Sequence, residues 1–389
     1  MTGKERMLSA YRREPADRPP ISPEIWSATV LEYTGLPFHK CYGPFAEEDY
    51  TALWLETQKA FGFDAWLLSD LDKPDEGNNY DVRAESRFIN PETIETKRVI
   101  KTVRGDLEWI TRTTNIYDGW GYANPVRDFS RDIGAYAAYT LDDPSDYKDD
   151  KIRKDIRTVG DDGLLSAYAG ELFVSWLAGG RTGDIAQTLL DLSDYPEVIA
   201  GLFNDYMGYM RKKVRRLAEI EGVENVLVIN GYSDAGVIGP GLYRKWEVPL
   251  LREITSEAHA HGLTVHLHQH GKCARVLGMI ADTGVDLVDS LERPTANGDI
   301  TDIEETARIY GPRIALKGNM DPINALKNGA RTDIESQADE IARAALTAPG
   351  FIIGTGDSVV KGTPFKNLEI YRDRVLKMID CFHYNNERT

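Results

Sequence analysis

Short apolar runs recur along the chain, separated by segments in which apolar positions return every three to four residues. Eight runs read as strands: residues 20–26, 65–70, 165–169, 226–230, 264–270, 286–291, 314–319 and 350–354. The later runs are spaced by amphipathic helical patterns such as 241–261. Alternating strands and helices predict a parallel sheet. Eight such units predict closure into a (β/α)8 TIM barrel. A doubly wound sheet is the rival architecture, but no GxGxxG turn follows the first run.

One region breaks the alternation. Residues 92–117 read as two strands turning at Arg104-Gly105-Asp106, with glycine supplying the turn. The whole of 1–389 is expected to form one barrel domain, with residues 72–160 as an insertion. That insertion is expected to hold a β-hairpin, an aromatic loop (Tyr117 to Tyr122) and a charged segment. Insertions at a barrel's loop face often act as lids.

Composition narrows the function. With 42% apolar and 28% charged residues the chain can build a large core. Its formal charge of −16 opposes binding to nucleic acid or an anionic membrane surface. Cys41, Cys273 and Cys381 form neither a CxxC motif nor a disulfide framework, which suits a reducing, cytoplasmic setting. No apolar run approaches the roughly 20 residues of a membrane span. The oligomeric state is open.

The candidate chemistry centres on His266-Leu267-His268-Gln269-His270-Gly271. Alternation puts the three imidazoles on one face of a strand. The last of them reach the C-terminal rim, where barrel enzymes build their sites. His268 and His270 are thus candidate ligands of a shared metal, against the plainer reading that they fill the barrel interior. Asp357, in the glycine-rich turn Gly354-Thr355-Gly356-Asp357-Ser358, can complete a His-His-Asp set with one open position. It can equally be a turn residue. Glu24, Asp70, Asp234, Asp289 and Glu292 are further strand-end acids, each a candidate acid, base or ligand and each also a candidate helix cap. Glu24 and Asp70 end the first two runs and are the preferred catalytic candidates. Asn319 can present its amide inward from the turn after the seventh run. Trp26, Trp120, Tyr122, Phe173 and Trp176 suit either core packing or an apolar pocket wall. Of the polar and aromatic set, Trp26, Trp176, Asp234 and Asn319 are assigned to substrate binding.

Taken together, these motifs resemble the uroporphyrinogen decarboxylase and corrinoid methyltransferase superfamily. Asp17-Arg18-Pro19-Pro20 is similar to its DRPP, and Ser69-Asp70-Leu71 to its SDI. His268-Gln269-His270-Gly271 resembles HxCG, and Gly318-Asn319-Met320-Asp321-Pro322 resembles GNLDP. Gly356-Asp357, Gly362-Thr363-Pro364 and Asn367 resemble the C-terminal GC…GTP…N. The resemblance spans nearly the whole chain and implies the same barrel.

Departures choose a branch. Where decarboxylases carry an arginine-rich RQAGRY, this chain has Pro23-Glu24-Ile25-Trp26-Ser27-Ala28, without the charge to hold a polycarboxylate. Asp70 matches the catalytic aspartate of that branch. The methyltransferase branch holds zinc with His, Cys and Cys, and the matching positions here are His268, His270 and Asp357. This harder N/N/O set suits polarising an oxygen more than activating a thiol. The resemblance therefore implies a zinc-dependent methyltransferase moving methyl from a small methylated donor, such as an aryl methyl ether, to a corrinoid, as in the methyltransferase component of an O-demethylase. No DxHxxG signature is present, so the corrinoid would come on a partner protein. The alternatives are a decarboxylase or lyase acting on a non-porphyrin carboxylate, a methylcorrinoid:thiol methyltransferase, and a non-catalytic binding protein.

Overall fold

The structure is a computed structural model that describes residues 1–116 and 119–386. Strand β1 (Ala65–Ser69) begins the barrel. The insertion follows with β2 (Tyr80–Asn90), β3 (Thr93–Thr102), β4 (Gly105–Thr114) and β5 (Trp120–Ala123). The barrel resumes with β6 (Gly163–Glu171), β7 (Asn225–Asn230), β8 (Thr264–Gln269), β9 (Leu287–Ser290), β10 (Ala315–Met320) and β11 (Phe351–Thr355). Seven strands form one sheet in the order β1-β6-β7-β8-β9-β10-β11, and every pairing is parallel. The expected (β/α)8 architecture is present, with one difference at the closing strand.

That closing segment, predicted over 20–26, pairs only at Ile21, which bridges Ile353 in parallel. Ile353 N donates to Pro20 O (2.8 Å) and Ser22 N donates to Ile353 O (2.7 Å). On the other side Asp64 N donates to Ile21 O (2.8 Å). Pro20 and Pro23 have no N–H, so the ladder cannot extend. Beyond it the chain turns into helix Ser27–Thr34. Buried Asp64 pins the segment, accepting from Arg6, from Arg18 (2.7 Å) and from Ile21 N (2.8 Å). Arg18 and Asp17 of the DRPP stretch thus serve closure: Asp17 also pairs with Arg6.

Helix α1 (Gly3–Tyr11) starts on a Thr2/Glu5 capping box and plugs the lower end of the barrel. Its Met7, Leu8, Ala10 and Tyr11 pack with Trp66, Leu164, Leu227, Leu287, Ala315 and Ile352 as an apolar bottom layer.

The insertion is larger than a hairpin. β2 to β5 form a four-stranded antiparallel sheet, with the predicted β3–β4 turn closing Thr102 onto Gly105. Of the predicted aromatic loop, Tyr117 and Asp118 lie outside the described residues, as does the side chain of Trp120. Helix Phe129–Thr140 follows the sheet, and the ammonium of Lys73 caps its last turn at Tyr139 O. Lys73 also sits over the rings of Tyr139 (4.4 Å) and Tyr80 (4.5 Å), so one side chain ties sheet, helix and the end of β1 together. Among the described residues no helix is long and apolar enough to cross a membrane.

Candidate metal centre at the barrel mouth

Register decides which side chains meet. Neighbouring residues in a parallel sheet point to the same side, and the pairing Glu171–Ile229–His268–Asp289 runs across β6, β7, β8 and β9. His268 faces inward, so the whole row does. Leu68, Asp70, Tyr168, Glu171, Ile229 and His270 keep part of their surface exposed although all six stand in or just beyond strands of a closed barrel. They line an open recess at the mouth.

The three histidines lie at different depths. His266 is fully buried, with Nδ1 2.9 Å from Tyr11 Oη and Nε2 3.2 Å from Asp289 Oδ2. Burial lowers its pKa, against the pull of Asp289, and the ring is part of the barrel interior. His268 is one layer higher: its Nδ1 lies 2.7 Å from Asp289 Oδ1 and its Nε2 2.8 Å from His270 Nε2. The ring of His270 stands edge-on at 87°, with its Nδ1 3.3 Å from Glu292 Oε1. Two Nε2 atoms thus converge, and each ring is held from behind by a carboxylate. That is how metal-binding histidines are usually oriented.

Charge around the pair is unusual. Burial pushes the His268 pKa down, but Asp289 and Glu24 outweigh it and raise the value to about 10. Burial opposes ionisation of Asp289 too, yet His268, His266 and Lys317 hold its carboxyl well below the usual range. Lys317 is itself buried, 3.2 Å from Asp289 Oδ2 and over the ring of Trp66 (4.4 Å).

The second carboxylate arrives by a strained route. Ser290 and Leu291 both adopt positive φ (72° and 46°), a conformation that costs of the order of 1–3 kcal/mol per non-glycine residue. The reversal returns Glu292 beneath β8, where Oε1 also accepts from Gly271 N (2.8 Å). Gly271 itself has φ +68°, and a Cβ there would meet Asp234 at 2.8 Å.

The predicted residues sort as follows. Glu24 is buried, accepts from Trp26 Nε1 on one oxygen, and leaves Oε2 without a hydrogen-bond partner 3.9 Å from His268 Nδ1. Asp357 lies beside His270, with Oδ2 3.8 Å from Nδ1 rather than at the convergent Nε2 atoms. Burial and Glu24 raise its pKa. Asp70 keeps two-fifths of its side chain open to the mouth, 3.0 Å from the Lys213 ammonium. Surrounding protein raises its pKa, against the pull of Lys213. Trp26 packs on Trp54 (5.0 Å) and touches Glu24, so it borders the site.

Asn319 donates to Leu291 O (3.1 Å) and leaves a buried Oδ1 free of partners. Asp234 serves its own turn, accepting from Gly236 N (2.6 Å). Trp176 is a core residue stacked between Tyr136 (5.2 Å) and Tyr206 (4.7 Å). These placements give Asp234 and Trp176 structural work and leave Trp26 and Asn319 nearer the centre. Asp289 and Glu292, read from sequence as acids or caps, are the partners of the histidines. Glu171 and Lys213 had no signal in the sequence beyond their residue types.

The donor set suits a divalent metal: two imidazoles that would bind it in their deprotonated form, nearby carboxylates, and a buried carboxylate oxygen that nothing in the protein satisfies. Zinc, iron, manganese and cobalt all accept such ligands. Among the described residues, two clusters have ligand atoms close enough for one ion: Glu24, His268 and Asp289, and His270, Glu292 and Asp357.

A closed barrel with histidines and carboxylates gathered at its C-terminal mouth defines the class of protein. Within that class, the uroporphyrinogen decarboxylase (URO-D) family profile matches residues 171–378, more than half of the chain. The chain belongs to the uroporphyrinogen decarboxylase family. It is 22% identical to methylcobamide:CoM methyltransferase MtbA of Methanosarcina mazei over 395 residues, covering 98% of this chain and 97% of the relative. It is 24% identical to uroporphyrinogen decarboxylase of Coxiella burnetii over 277 residues, covering 68% of this chain and 70% of that one. A solved structure titled methyltransferase from Methanosarcina mazei superposes with a TM-score of 0.62 at 14% identity, over 97% of this chain and 99% of that chain.

Proposed function

We propose that this protein is a metal-dependent methyltransferase that passes a methyl group between a small methylated molecule and a corrinoid carried by a partner protein. The convergence of His268 Nε2 and His270 Nε2 at 2.8 Å, each ring backed by a carboxylate, carries the reading. The full-length alignment with a methylcobamide:CoM methyltransferase supports it. Two lysines beside the mouth, Lys213 and Lys317, are already engaged by Asp70 and Asp289.

His268 and His270 would hold zinc, with Asp357 or the unpartnered oxygen of Glu24 completing the set. Bound there, the metal supplies Lewis acidity to the heteroatom that carries the methyl group. Asp289 and Glu292 fix the two ring orientations. Glu24 and Asp70 position the donor beside them, and Trp26 offers a flat apolar wall for an aryl methyl ether. An oxygen leaving group suits this ligand set because imidazole and carboxylate leave the metal more Lewis-acidic than thiolates do.

The test is methyl transfer to Co(I) cobalamin from a panel of methoxyarenes. Methylcobalamin formation and release of the corresponding phenol are expected. Activity confined to thiols, running from methylcobalamin to thioether, would overturn the direction and the substrate class.

A further inference from the structure

Glu171 ends β6 and belongs to the inward row it shares with Ile229, His268 and Asp289. It gets there through a bulge: the β6–β7 register shifts between Tyr168 and Gly170, so both Tyr168 and Glu171 face the interior. Its carboxyl is hydrogen-bonded by Tyr168 and lies near Tyr206 and Tyr136, and His270 and His268 are the cationic groups it feels. Its Oε2 is buried and has no hydrogen-bond partner. No lysine or arginine pairs with it in any ion pair among the described residues. An ionised carboxylate is costly in such a place, and burial raises the pKa of Glu171 to about 7.

Two strands separate Glu171 from His268, about 10 Å along the wall. Ile229 lies between them and is only partly buried, so the recess opens over it. The carboxyl and the imidazole pair therefore face each other across a gap with an apolar floor. Of the other acids at the mouth, Asp70 is paired with Lys213, Glu292 accepts from Gly271 N, Asp357 accepts from Ser358 N, and Glu24, which also keeps one oxygen without a partner, lies against His268 Nδ1 on the ligand side of the centre.

We propose that Glu171 is the proton donor to the departing oxygen. This rests on the methyl-transfer reading above. The methyl C–O bond breaks, and the carbon bonds to the cobalt of the partner's corrinoid. Cobalt(I) supplies the electron pair and ends as methylcobalt(III). The O–H bond of the Glu171 carboxyl breaks as its proton joins the leaving oxygen, so a neutral phenol departs and Glu171 remains as a carboxylate. Phenolate is a poor leaving group because phenol's pKa is about 10, so protonation matters most for the least acidic phenols.

Glu171→Gln and Glu171→Asp should be compared with wild type across methoxyarenes whose phenols span a range of acidity, using Co(I) cobalamin as acceptor. With methoxybenzene, Glu171→Gln is expected to lose roughly 100- to 10,000-fold in kcat/KM, the usual worth of a general acid. With a nitro-substituted donor the loss is expected to be less than about tenfold, so dependence on leaving-group acidity steepens. Glu171→Asp should recover part of the rate at unchanged metal content. A loss equal across the panel, or no loss, overturns the assignment. If wild type transfers methyl from no donor, the methyl-transfer reading itself fails, and the proton donor with it.

Discussion

Asp289→Asn is expected to weaken both the metal centre and the fold, and the two effects are separable. The native carboxylate is completely buried and faces His268 (2.7 Å), His266 (3.2 Å) and Lys317 (3.2 Å). An amide offers one acceptor and turns a donor toward groups that also donate. Lys317 is left as an unpaired buried cation, which typically costs about 3–5 kcal/mol. His268 loses the acceptor that fixes its ring, and such partners are worth roughly 10- to 100-fold in metal affinity. Urea unfolding of metal-free protein reads the first effect; zinc titration against a competing chelator reads the second. Pairing the substitution with Lys317→Met removes the orphan charge and should recover stability but not zinc affinity. Recovery of both would mean that Asp289 serves the fold alone.

Asp64→Ala is the second large effect, and it lies far from the mouth. Asp64 joins Arg6, Arg18 and the backbone of Ile21, the only residue through which the closing segment pairs as a bridge with β11. Its loss leaves two arginines facing a buried position and takes away the acceptor of Ile21 N, leaving only the backbone bond from residue 64 N to Ile21 O on that side. A destabilisation of about 3–5 kcal/mol is expected, seen as a lower urea midpoint. Metal binding should survive in the folded fraction, because Glu24 enters the site through its own bond to Thr355 (3.0 Å). An unchanged midpoint would show that barrel closure does not depend on this cluster.

Much of this architecture is legible in the chain itself. Seven of the eight apolar runs are strands, because runs such as Val226–Ile229 are buried on both faces and are β-branched or apolar throughout. The eighth shrinks to a bridge because prolines flank it. Strand β2 escapes pattern reading because most of it is exposed and charged, with Arg83, Glu85 and Arg87 offering no apolar alternation. β5 is four residues long and carries no pattern at all.

The site is only partly legible, for a different reason. Period-two alternation puts His266, His268 and His270 on one face, but depth separates them, and depth depends on α1 filling the bottom of the barrel. The roles of Asp289 and Glu292 depend on the register of β9 against β8 and on the reversal at Ser290–Leu291, which no local rule supplies. Glu171 is hidden by the bulge in β6: simple alternation from Tyr168 would turn Gly170, not Glu171, toward the interior.

The central claim is that His268 and His270 share one metal ion. Protein purified without a histidine tag, exposed to excess zinc and then exhaustively dialysed, should retain about one zinc per chain by elemental mass spectrometry, as expected of a site with a tight tetrahedral ligand set. His268→Ala and His270→Ala proteins, folded by circular dichroism, should each retain essentially none. Wild-type protein that keeps no metal after this treatment, or variants that keep as much as wild type, would contradict the account.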